Sequence, residues 1–254
     1  MNTRITLAVA ARVLTQLRRD HRTLAMLLVL PCLVLTLLWW MFDAGDTPLA
    51  GGFDSLGPPL LALIPFIVMF LVTSVTTLRE RSSGTLERLL AMPTGKGDIL
   101  VGYALAFGLV AAVQSVLAVV LCSAVLGLDV SGPVWMLVLV AVADAVLGTA
   151  LGLFVSAFAR TEFQAVQFMP ALVIPQILLC GLFLPREAMP PVLGAISDVL
   201  PLSFAVDAMS GVATTAGTGV GGVAGSVWGD LAVVVGFVLA GLLLGAATLR
   251  RRTA

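Results

Sequence analysis

Asp144 is an acidic residue set well inside an apolar stretch, the run from Val134 to Ala159. An ionisable side chain at such depth costs at least about 2.5 kcal/mol on insertion scales, and by default it marks a function. Gln114 falls at comparable depth in the preceding apolar run and is a candidate partner. Two chemistries fit the pair. A hydrogen-bonded acid can lock two helices together, or the carboxyl can serve a proton- or substrate-linked step. No Ser/His/Asp, Cys/His or paired-carboxylate set accompanies them. The single histidine, His21, lies among arginines, and Cys32, Cys122 and Cys180 sit in apolar runs without metal-ligand or disulfide spacing. Catalytic, cofactor-binding and metal-binding residues are therefore expected to be none.

Nucleotide motifs are equally absent. Thr94-Gly95-Lys96-Gly97 lacks both the hydroxyl residue and the upstream glycines of a P-loop. Gly217-x-Gly219-x-x-Gly222 fits the dinucleotide fingerprint, but no apolar strand precedes it and no βαβ unit follows, so it reads as a flexible linker.

A second chemical concentration is the charged stretch Leu78-Arg79-Glu80-Arg81-Ser82-Ser83-Gly84-Thr85-Leu86-Glu87-Arg88-Leu89-Leu90-Ala91-Met92-Pro93. Thr85 to Met92 has the spacing of a short amphipathic helix, with Leu86, Leu89 and Leu90 on one face. Gly84 permits the turn into it and Pro93 stops it. Its charged face either docks on a partner or is an ordinary solvated loop.

The elements that carry these residues follow from composition. Hydrophobic residues make up 59% of the 254 positions and charged residues 11%, and mean hydropathy is +1.10. Soluble chains carry about 25% charged residues, so lipid must solvate most of this one. Six runs are long enough to cross about 30 Å of hydrocarbon at roughly 20 residues each: 24–42, 58–78, 99–126, 134–159, 163–184 and 230–249. Pro170 and Pro175 predict a kink in the fifth. Residues 5–22 read as a basic amphipathic helix lying in the interface, and the first apolar run, too long for a signal sequence, is expected to be retained. The predicted organisation is an interfacial helix over 1–23, a six-span domain over 24–249 and a tail over 250–254. The stretch 79–96 and the outer loop 185–228, with short helices in its first half, interrupt the spans.

Six spans place thirteen of the fourteen lysines and arginines on one side, with Arg186 alone opposite. That side is expected to be cytoplasmic, with both termini, in a cell (inner or plasma) membrane. A formal net charge of zero argues against a nucleic-acid partner.

The pattern R-E-R-x-x-G-T-L-E-x-L-L-x-x-P after the second span resembles the signature of type-2 ABC exporter permeases, the ABC-2 type. The basic first helix, six spans and outer segment Cys180–Pro190 with Leu200–Ser203 are similar in the same order. The resemblance implies an all-α membrane protein in which Glu80, Gly84, Thr85, Glu87, Arg88 and Pro93 belong to a helix coupling it to a separate ABC ATPase subunit, present in two copies. ATP and Mg would be held there and none in this chain, which would be no enzyme by itself. The first helix would touch the same subunit. The first and fifth spans would face a second permease copy or homologue, and the cargo would be a hydrophobic or amphipathic small molecule: a drug, antibiotic or lipid-like compound. The alternative from another class is a stand-alone secondary transporter using Asp144.

Overall fold

A computed structural model describes residues 3–43, 52–85, 95–159, 161–214 and 225–248. Its helices are α1 (Thr3–Arg19), α2 (His21–Asp43), α3 (Gly52–Ser82), α4 (Lys96–Val120, continued by a π-helical turn Leu121–Val125), α5 (Val134–Ser156), α6 (Glu162–Leu179), α7 (Pro191–Ser197), α8 (Pro201–Thr214) and α9 (Gly225–Thr248). The described residues form no strand. α2, α3, α4 with its π turn, α5, α6 and α9 are each long and apolar enough to cross a membrane, so the chain is a multi-pass, all-α membrane protein.

α5 is the centre of the bundle and packs against α3, α4 and α9. Two glycines one turn apart set the closeness of α3 and α5. A β-carbon added at Gly152 would lie 2.6 Å from the Phe70 carbonyl oxygen, and one at Gly148 would collide with the Phe66 carbonyl. Small residues at a membrane helix interface let backbones approach and pack. The spacing Gly148-x-x-x-Gly152 is therefore used within this chain.

The periodicity of α1 is spent on protein. Thr6, Val9, Ala10, Val13 and Leu17 recur at helical spacing and are buried. Val9, Ala10, Val13 and Leu17 join one apolar cluster with Ile99, Tyr103, Ala106 and Phe107 of α4. Gly102 makes the crossing tight, since a β-carbon there would sit 2.7 Å from the Val9 side chain. The apolar face expected to rest in the bilayer interface thus rests on α4.

Element limits differ from the predicted ones in three informative places. α3 starts at Gly52, carries Pro58, Pro59 and Pro65 inside it, and runs to Ser82, four residues past the predicted end of that span. α6 stops at Leu179 and passes through both Pro170 and Pro175 as one helix. Gly181, at φ +92°, turns the chain away just after it. Beyond lie the predicted short helices, α7 and α8, which meet at 85°. α8 buries Leu202, Ala205, Val206, Met209 and Val212, whereas α7 leaves Val192, Leu193 and Ile196 exposed.

Candidate coupling site at the basic end of the bundle

Because α3 continues to Ser82, Arg79, Glu80 and Arg81 occupy its last helical turns. Successive helical residues point about 100° apart, and these three side chains reach three different sets of neighbours. Arg79 forms a two-pronged pair with Glu162 in the first turn of α6, Nε to Oε1 at 2.9 Å and Nη2 to Oε2 at 3.0 Å. Arg81 donates through Nη1 to the Ser156 carbonyl at the end of α5, at 2.6 Å. That carbonyl belongs to the last turn, where helix oxygens lack intrahelical donors and attract cations.

Glu80 turns inward. It is 8% exposed and is met by donors from two other helices. Arg12 Nη2 of α1 donates to Oε2 at 3.2 Å, and the Tyr103 hydroxyl of α4 donates to the same oxygen. The Gln16 amide, with its nitrogen toward the carboxylate, donates to Oε1 at 2.9 Å and accepts from Arg12 at 3.2 Å. A carboxylate taken out of water is costly unless it is paired and hydrogen-bonded, and here α1 and α4 supply the partners. Removal of any one donor leaves the others aimed at a poorly matched site.

The neighbouring helix starts are fixed locally. Asp20, between α1 and α2, accepts from the Thr23 backbone N–H at 3.1 Å and from the Thr23 hydroxyl at 2.6 Å. These bonds hold its carboxyl below the usual carboxylate range, and the positive charge of Arg79 adds to the effect. Thr161 caps α6 by accepting from the Gln164 N–H at 3.1 Å. After Ser82 the chain leaves α3 through Gly84, whose φ of +72° is in the left-handed region. The Ser83 hydroxyl accepts or donates across 2.9 Å to that of Thr85. Glu87, Arg88 and Pro93 lie outside the described residues.

Of the residues singled out in sequence, Glu80, Gly84 and Thr85 therefore lie together, with Glu80 facing the helices. Arg12, Gln16, Tyr103 and Glu162 complete the site and were not picked out. One sequence signal existed for Tyr103: it is the only tyrosine in the chain, near the start of a span.

Asp144 and Gln114 are both buried, at 0% and 1% exposure. The structure does not join them: neither Asp144 oxygen and neither Gln114 amide atom has a hydrogen-bond partner. The α4–α5 polar contact is made next door instead, Ser115 Oγ to the Ala141 carbonyl at 3.1 Å. At the far end of the bundle Arg186 is bound by Asp198 and Asp207 and lies 5.5 Å from the centre of the Phe204 ring. Burial raises the Asp207 carboxyl and Arg186 offsets part of that rise. Arg186, Asp198 and Asp207 border a cavity of about 570 Å³ that also touches Pro59 and Cys180. The described residues contain no cluster of three or more metal-ligating side chains.

Known proteins share this sequence in part. ABC transporter G family member 20 of Dictyostelium discoideum is 30% identical over 158 residues, 61% of this chain and 21% of that protein. Inner membrane transport permease YhhJ of Escherichia coli K12 is 31% identical over 150 residues, 58% of this chain and 40% of that one. Probable multidrug ABC transporter permease YbhR of the same bacterium is 29% identical over 150 residues, 59% of this chain and 41% of its own length. The chain thus matches less than half the length of each of these relatives. The profile described as ABC-2 type transporter matches residues 5–213, a stretch that takes in most of α1, the Arg79–Arg81 turn, Asp144 and nearly all of the outer helices. On that match the chain belongs to the ABC-2 type transporter family.

Proposed function

We propose that this chain is the membrane-spanning permease of an ATP-binding-cassette exporter and that a separate ATPase supplies its energy through the segment following α3. The observation that carries the reading is the Arg79-Glu80-Arg81 turn. A force applied just beyond Ser82 acts on a helix end tied to α6 through Glu162, to α5 through Ser156, and to α1 and α4 through Glu80. A push at this one place moves most of the bundle. Glu80 then works on the transmission side, held by α1 and α4, while Gly84, Thr85, Glu87, Arg88 and Pro93 provide the surface for the ATPase.

The thirteen-to-one bias of basic residues supports a cytoplasmic position for this end and for both termini. A second permease copy or homologue would cover α2 and α6, in whose most apolar stretches only 17% of residues are buried, against 67% in α3. Exposed Met26, Leu33 and Leu37 of α2 and Val166, Leu172 and Leu178 of α6 are the side chains it would meet. The spans' apolar faces fit a hydrophobic or amphipathic cargo. Two of the relatives carry permease in their names, and YbhR is named a probable multidrug one.

The test is ATP hydrolysis by the chain reconstituted with its ATPase. Amphipathic compounds are expected to stimulate hydrolysis, and Thr85→Asp with Glu87→Lys is expected to abolish stimulation while leaving the isolated ATPase active. Transport driven by an ion gradient without any ATPase would overturn the proposal.

A further inference from the structure

Among the described residues, the arginines of the basic end divide into two sets. Arg12, Arg79 and Arg81 each hold a protein partner, and Arg4 is also engaged. Arg18, Arg19 and Arg22 are exposed, and among the described residues none of these three side chains is hydrogen-bonded or ion-paired. All three lie at the elbow between α1 and α2, within three residues of His21, where the first span begins. The carboxylates nearby are committed elsewhere: Asp20 to Thr23 and Glu162 to Arg79.

Three features narrow what these cations meet. α2 crosses the hydrocarbon from His21 to Phe42, so its first residues stand at headgroup level. The apolar face of α1 is used up on α4, which leaves at the elbow a basic edge that makes no ion pair or side-chain hydrogen bond among the described residues. Complementary charge at that depth belongs to phosphate. We infer that the α1–α2 elbow is a binding site for anionic phospholipid headgroups, with Arg18, Arg19 and Arg22 as its cations. The site also regulates. α1 carries Arg12 and Gln16 to Glu80, so fastening its end to the membrane surface holds that cluster in place and sustains coupling to the segment after Ser82. The lipid site itself does not depend on the exporter reading; only this consequence for coupling does.

Each arginine near an anionic surface contributes about 1 kcal/mol, or roughly fivefold, so three together give about a hundredfold preference for anionic lipid. The full chain in detergent, exposed to equal amounts of phosphatidylglycerol and phosphatidylcholine, is expected to retain phosphatidylglycerol preferentially, as counted by native mass spectrometry, and to release it as salt rises. Arg18→Gln with Arg19→Gln and Arg22→Gln is expected to lose the preference about a hundredfold. The same three positions changed to lysine keep it, which separates lost charge from lost fold. Arg250→Gln with Arg251→Gln and Arg252→Gln removes equal charge from the tail and is expected to keep it as well.

An unchanged preference in the elbow glutamine variant overturns the inference, and so does an equal loss in the tail variant. A loss of ATPase binding with lipid preference intact also overturns it, assigning the elbow to the ATPase surface. Retained lipid preference in a chain that fails to stimulate ATP hydrolysis leaves the site standing and removes only its coupling role.

Discussion

Replacing Glu80 tests whether α1 is held to the bundle by charge or only by its apolar face. Alanine removes the acceptor for Arg12, Gln16 and Tyr103 together. Hydrogen bonds to a charged group contribute about 1.5–3 kcal/mol each, but they are not additive and neighbours relax. The Arg12 side chain is 28% exposed, so water recovers part of its solvation. The result is about 3 kcal/mol for Glu80→Ala and about 1.5 kcal/mol for Glu80→Gln, which keeps an acceptor oxygen but loses the charge. Because 1.4 kcal/mol is a factor of ten, amides of α1 are expected to lose about a hundredfold in hydrogen-exchange protection in the alanine variant and about tenfold in the glutamine variant. Residues of α9, which the cluster does not touch, keep theirs. A double-mutant cycle of Arg12→Gln and Glu80→Gln, read by denaturant unfolding, is expected to give a coupling energy of about 1 kcal/mol or more. Unchanged exchange of α1 in Glu80→Ala, or a cycle energy near zero, refutes the reasoning.

Arg79→Ala is expected to cost no more than about 1 kcal/mol in denaturant unfolding, because the Arg79–Glu162 pair is about half exposed and screened. Gly152→Leu has no room beside the Phe70 carbonyl, so folded yield after detergent extraction should fall several-fold, while Gly229→Ala, in open space, leaves it unchanged. Asp144→Asn is expected to preserve both folded yield and transport; intact yield with abolished transport would assign the carboxyl to translocation. Asp20 has a lowered carboxyl pKa in the folded chain, so its stabilisation is complete above the unfolded-state value and is lost as pH falls through the folded-state one, below about pH 4. Asp20→Asn keeps a capping oxygen and should flatten that part of the acid-unfolding profile.

The six spans were legible because about 20 apolar residues in a row leave few other interpretations, and the short outer helices followed from patterning within their own segment. The Glu80 cluster was not. Arg12 and Glu80 are 68 positions apart and Tyr103 and Glu80 are 23 apart, and no local period reports which side chains two distant helices bring together. The continuation of α3 beyond the apolar stretch was not legible for a related reason. Apolarity stops at Leu78, but arginine and glutamate are good helix formers, and their neighbours supply the partners that let the helix continue to Ser82. α1 was legible as amphipathic, but amphipathicity does not say whether the apolar face meets lipid or protein; the bare backbone at Gly102 decided for protein. Asp144 and Gln114 are both buried, yet a similar position along two helices does not fix azimuth, and Ser115 makes the α4–α5 contact in their stead.

The three consecutive tethers at the end of α3 also limit how that helix can move. Arg79, Glu80 and Arg81 extend in three directions around one axis, so turning α3 about that axis drags all three sideways and strains every tether together. Tilting the helix, or sliding it along its length with its partners in tow, strains them far less. Rotation is thus the degree of freedom the site removes, and α3 is left to deliver its motion as a lever.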